Sequence, residues 1–141
     1  MARRVALRMR RQTLVSHPQA PRLWAVVGEA VLHHEVGGPA VLREQLAHLV
    51  ELTGRPSVTL QVVPLRIGGA TAEGAFTMLR FAEPELPDVV YLEHLCGALY
   101  VDKRDEVEQY SKVVQRLAYE AATPEQTHSL LTGMIASLPA D

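Results

Sequence analysis

The sequence predicts an α+β fold: a mixed five-stranded sheet with an N-terminal helix and two C-terminal helices packed on it. Three observations predict it. A β-type run, a helical run and a second β-type run follow one another between Leu23 and Val63, the order of a βαβ unit. Three more β-type runs on short links occupy residues 75–101, which predicts an antiparallel meander. Two amphipathic helical runs close the chain.

Residues 2–15 predict a helix. Val5, Met9 and Gln12/Thr13 fall on one face, with Leu7 and Leu14 beside it at heptad spacing and arginines filling the rest. This reads as a basic surface helix docked by its apolar stripe, or as one that turns Arg11 and Gln12 inward or toward a partner. Residues 16–21 form a loop with two prolines. Leu23–Val27 is a strand ended by Gly28-Glu29, and a short helical segment, Ala30–Glu35, follows. Gly37-Gly38-Pro39 breaks the chain, and Pro39 suits the first turn of a helix, where its missing N–H is harmless. That helix, residues 40–53, carries the stripe Val41, Leu42, Gln45/Leu46, Leu49 and Leu52/Thr53.

Ser57–Val63 is the strongest β run, with Val58, Thr59, Val62 and Val63 all β-branched. The intervening helix makes it a parallel, right-handed neighbour of the first strand. Gln61 stands in the middle of this apolar run and Pro64 closes it. A buried amide left unbonded costs about 1–3 kcal/mol, so Gln61 is tied into a polar network or looks into a cavity. After a Gly-rich connection (Gly68, Gly69) come strands over 75–81, 89–95 and 98–101. Asp102 is placed to cap a helix over 103–121 whose stripe is Val107, Tyr110/Ser111, Val114, Leu117/Ala118 and Ala121. Thr123, Pro124 and Gln126 spell a capping box. The last helix, 124–137, buries Leu130, Leu131, Met134, Ile135 and Leu138.

At 141 residues the chain reads as a single domain, and 48% hydrophobic with 21% charged content can build a core. The net charge of −2 argues against a nucleic-acid binder taken whole. The charge is uneven: residues 1–28 hold six arginines and no acid, and all sixteen acids lie from Glu29 onward. A single cysteine, Cys96, forbids an internal disulfide and points to the cytoplasm. No run approaches a membrane span, and Arg8, Arg10 and Arg11 interrupt any secretory h-region. An arginine-rich, acid-poor start also describes a mitochondrial transit peptide.

The sequence carries no dinucleotide fingerprint, P-loop, nucleophile elbow or zincin motif, and no cofactor is predicted. His33-His34-Glu35 offers metal-ligating groups, but adjacent helical residues diverge too far to share one ion, so a solvated helix end is the reading and no metal is predicted. On a strand, His94 and Cys96 share one face about 7 Å apart, as a thiol–imidazole pair or as a packed small hydrophobe beside a histidine. More telling are polar residues planted in apolar elements: Arg11, Gln12, Glu29, Gln45, Gln61 and Glu93. Glu29 and Gln61 lie toward the carboxyl ends of two parallel strands, the edge where such sheets bind ligands. With Trp24, Phe76 and Tyr91 they would line a small-molecule pocket gated by Gly68-Gly69. The other reading of the same residues is an internal network, Arg11 with Glu29 or Glu93, that holds the first helix on the sheet.

Several stretches carry a resemblance as well. They are Arg8-Met9-Arg10-Arg11-Gln12, Val26-Val27-Gly28-Glu29-Ala30-Val31-Leu32, Val36-Gly37-Gly38, Gln45-Leu46-Ala47-His48-Leu49, Val58 to Pro64, Gly74-Ala75-Phe76 and Asp88 to Glu93. In this order the chain resembles the DUF5753 family, a domain of unknown function that follows an XRE-type helix-turn-helix in actinobacterial transcription regulators. Members carry that helix-turn-helix and a PGLLQT-like segment before the Arg-Gln motif. Neither stands in this sequence, which is read as beginning inside the domain or as a stand-alone relative. The resemblance implies an effector or partner domain of a regulator, and the leading expectation is a sensor or interaction domain that binds a small molecule or a protein partner. No recognition helix is evident, so no specific DNA binding by this chain is expected, and no membrane. The alternative is a small-molecule enzyme using Glu29 or Glu93 as general acid/base. A third reading is a dimerisation domain, and a homodimer is expected.

Overall fold

The computed structural model describes residues 2–17, 19–67 and 74–139, the side chains of residues 2–4 and 16 excepted. The elements run α1 (Ala2–Ser16), β1 (Leu23–Gly28), a 3-10 helix (Glu29–His33), α2 (Pro39–Thr53), β2 (Val58–Val63), β3 (Thr77–Leu79), β4 (Val89–His94), β5 (Gly97–Val101), α3 (Arg104–Glu120) and α4 (Pro124–Ser137). They divide into two compact units, Met1–Pro64 with Ala122–Asp141, and Leu65–Ala121.

The first unit is built on the βαβ unit. β1 and β2 pair in parallel, Leu23 opposite Val58 through Gly28 opposite Val63. The crossover turns at Gly37 and Gly38, whose φ values of 95° and 94° are the left-handed region that favours glycine. A Cβ on Gly37 would also meet the Val41 side chain at 3.2 Å. Pro39 opens α2, as its fixed φ permits. Leu42 and Leu46 are buried on α2, one helical turn apart, with Leu49 and Val50 completing the stripe. They meet Leu60 and Val62 of β2, Leu32 and Leu131, while Ala25, Val27, Leu130, Met134, Ile135 and Leu138 pack around them. Ala25, Val27, Leu60 and Val62 share one face of the strand pair because successive residues alternate. The α4 stripe is the one its periodicity predicts.

α4 is secured at both ends. Thr123 and Gln126 form the predicted capping box, each side chain bonded to the other's backbone N–H at 3.2 and 3.0 Å. At the far end the Arg43 guanidinium of α2 donates to the carbonyls of Ile135, Leu138 and Pro139 at 2.7–2.9 Å. These carbonyls have no intrahelical donor, so a cation satisfies both the hydrogen bonds and the helix dipole.

The expected five-stranded sheet is instead two sheets: parallel β1–β2, and antiparallel β3–β4–β5. The reason lies on the outer edge of β2. There the Val62 carbonyl accepts from Ala122 N–H at 2.8 Å, and Val62 N–H donates to the Thr127 hydroxyl at 3.1 Å. The groups a further strand would use at this position are taken by the entry to α4. α1 also departs from expectation. Val5, Leu7, Met9 and Leu14 are all more than half exposed, so the predicted apolar stripe does not dock the helix. Its face has only Val5 and Met9, while Leu7 lies about 200° round the helix from Val5.

In the second unit, Thr77 pairs with Tyr91, and β4 with β5 from Val90–Val101 to His94–Gly97. A two-residue turn, Leu95-Cys96, joins β4 to β5. Among the described residues of this unit, Val90 and Val101 are the buried ones. Phe76 meets Tyr110 of α3 edge-on at 4.9 Å. The α3 stripe Val107, Tyr110, Ser111, Val114, Leu117, Ala118 is the predicted one, half-buried throughout. Asp102 does not cap it: Lys103 occupies the N-cap without a side-chain bond.

Candidate functional site

Gln61 is tied into a network. Its Oε1 accepts from Trp24 Nε1 at 2.8 Å and its Nε2 donates to the Ala122 carbonyl at 3.0 Å. Trp24 and Gln61 share the face of β1–β2 opposite the core, since Gln61 is opposite Val26 and Trp24 is two residues away. The amide thus links β1, β2 and the entry to α4, and the 48% exposed Trp24 ring lies over the strand pair. Glu29 opens the 3-10 helix half-buried and meets His33 at 3.6 Å. Gln45 is exposed on α2, which packs on the core face of the strand pair, the face opposite Gln61. Arg11 and Gln12 are exposed on α1. The Gly68-Gly69 gate lies outside the described residues.

Phe76, Tyr91 and Glu93 belong to the second unit, where strand alternation divides them. Phe76 turns to α3. Tyr91 and Glu93 share the other face of the sheet with Thr77, Leu79, Val89, Ala98 and Tyr100. Thr77, Tyr91 and Tyr100 lie in one row across three strands. The two tyrosine rings are 5.2 Å apart at 54°. Thr77, Leu79, Glu93, Ala98 and Tyr100 are exposed, Tyr100 at 65%. Glu93 stands about 7 Å along β4 from Tyr91 on the same side. No basic residue occupies this face of the strands. A flat surface of two aromatic rings and a carboxylate suits a macromolecular contact better than a small molecule, which takes a concave site.

The thiol–imidazole pair does not form on a strand. β4 ends at His94, and Cys96 is exposed in the turn. Glu29 and Glu93, the acid/base candidates, lie one in each unit. A depression of about 420 Å³ does exist in the first unit, lined by Thr53, Pro124, Glu125, His128 and Ser129, none of which the sequence pattern marks as a site residue. At its rim the Glu125 carboxyl is held below the usual range, by the backbone N–H at its own position and by the Thr123 hydroxyl. In the second unit, Arg80 donates to both oxygens of Asp88 at 2.7–3.2 Å, which raises the arginine above its ordinary value and closes the loop 81–87.

Sequence reasoning missed Arg43, Thr127 and Tyr100. Tyr100 had a findable signal, because hairpin pairing of β4 and β5 sets it beside Tyr91. Arg43 and Thr127 act across 92 or more and 65 residues respectively, and nothing local marks them. Among the described residues no helix is long and apolar enough to cross a membrane. A family model for a domain of unknown function, DUF5753, matches residues 1–133. No curated protein and no solved structure matches the chain.

Proposed function

The chain belongs to the DUF5753 family of domains of unknown function, and from that premise we propose that it is a partner-binding domain. Its working surface is the open face of β3–β4–β5, and its partner is a protein segment. The observation that carries this reading is the uncovered row Thr77–Tyr91–Tyr100 with Glu93 beside it. Tyrosine supplies large contact area at small entropic cost and is enriched where proteins meet. The opposite face, with Val90 and Val101, supplies the unit's core, so the tyrosine row is spare for binding. The resemblance to effector domains of XRE-type regulators supports the same role: such a domain biases an attached module by what it binds.

Selection of a displayed peptide library on the immobilised protein tests this. Ligands should emerge that are lost when Thr77→Arg places a long charged side chain at the edge of the row. Ligands indifferent to that substitution, or none at all, would overturn the reading. Thr77 is exposed, so the variant should melt within about 0.5 kcal/mol of the parent.

A further inference from the structure

We propose that the segment recognised on this face is basic, with an arginine or lysine side chain seated on the Tyr91–Tyr100 pair and its charge directed to Glu93. This rests on the reading of the face as a binding surface and adds the chemistry of the partner. Three observations carry it. The first is the ring pair, 5.2 Å between centroids with Tyr100 largely exposed. Tyrosine faces carry negative potential and attract cations within about 6 Å of the centroid. The second is Glu93, exposed on the same face two residues from Tyr91. A carboxylate next to an aromatic platform supplies the full charge that the ring quadrupole lacks.

The third is the charge of the surroundings. Residues 65–121 hold ten acids against six basic residues, a net −4. Arg80 pairs with Asp88, Lys103 with Glu106 and Lys112 with Glu108, pairs that leave this net charge unchanged. The face itself carries the Glu93 carboxylate and no basic residue, so a cation meets complementary sign there while an acidic segment is repelled. Arginine should be favoured over lysine, since its planar guanidinium stacks on a ring while its edge still reaches a carboxylate.

The test is calorimetric titration of the whole chain with a nine-residue peptide alternating arginine and glycine. Two companions replace every arginine by glutamate or by citrulline, which keeps the planar group and removes the charge. The arginine peptide should bind one to one, and the other two should not. Glu93→Gln and Tyr100→Leu should each weaken binding about threefold to fivefold, the size expected of an exposed cation–π or ion-pair contact. Raising the salt from 50 to 500 mM should weaken it further. Comparable binding of the citrulline or glutamate peptide, or parent-like titration of both variants, would overturn the proposal. Circular dichroism of each variant separates lost contact from lost fold, and Glu93→Gln, exposed and isosteric, provides a result even where Tyr100→Leu does not fold. The two readings fail separately. Displayed ligands that depend on Thr77 but carry no basic residue defeat the basic partner and leave the face standing.

Discussion

The carboxamide of Gln61 has two chemically different ends, and each is used. The oxygen takes the Trp24 indole N–H, and the nitrogen serves the Ala122 carbonyl. Only an amide of this length can accept at one end and donate at the other. Gln61→Glu keeps the length and the acceptor but sets a carboxylate against the Ala122 carbonyl at neutral pH. It should cost about 1–3 kcal/mol. Because the chain has one tryptophan, urea titration followed by Trp24 emission reads the loss directly. Protonation restores a donor, so the introduced carboxyl has a raised pKa in the folded state. The gap from the parent should then narrow as pH falls, and a gap unchanged down to about pH 4 would count against this account. Thr127 makes a simpler case. It is fully buried and its hydroxyl is the acceptor for Val62 N–H. Thr127→Val should cost about 1–3 kcal/mol by stranding that N–H, and Thr127→Ser should recover most of it.

At the scale of elements, α4 shows what was legible in the sequence and what was not. Its stripe, from Leu130 to Leu138, and its Thr123–Gln126 box lie within one short segment, and periodicity and spacing reveal them. The arginine that closes its other end comes from α2, more than ninety residues away, and no local pattern carries it. The same holds for the sheet. Each strand was readable from its own residues, but the split into two sheets depends on Ala122 and Thr127 reaching back to Val62. The candidate site divides likewise: Gln61 and Trp24 do meet, while Gln45 misses the group because α2 packs on the core face of the strand pair and Gln61 lies on the other. Removing the distant cap by Arg43→Ala should cost about 1.5–3 kcal/mol, the range for bonds to a charged group, with Arg43→Lys recovering only part. The near end is pH-sensitive. Glu125 has a folded pKa below its ordinary one, so its contribution is present above the ordinary carboxylate range and is lost as pH falls through the lowered value. Glu125→Gln should therefore lower the melting temperature at pH 7, and the gap from the parent should narrow as pH falls below the ordinary carboxylate range.

At the scale of the whole molecule, the first unit is assembled from both ends of the chain, residues 1–64 and 122–141, with 57 residues between them. Its core cannot close until α4 returns to α2 and β2. Leu46, Val62 and Leu131 are at most 1% exposed and contact one another within one cluster, although they span 85 positions of sequence. In the second unit α3 contributes no fully buried residue. Amide exchange should register both facts. The slowest amides should be those of α2, β2 and α4 around these three residues, and α3 should exchange well before them, because opening it uncovers little apolar surface. Leu131→Ala puts a cavity where the returning helix meets the core and should cost about 2–5 kcal/mol. If the cluster opens as one body, the amides of Leu46 and Val62 should then speed up by at least about tenfold together with those of α4, since each 1.4 kcal/mol is a factor of ten. Acceleration confined to α4 would mean that the helix peels away by itself, with the βαβ unit holding its own structure without the chain's last twenty residues.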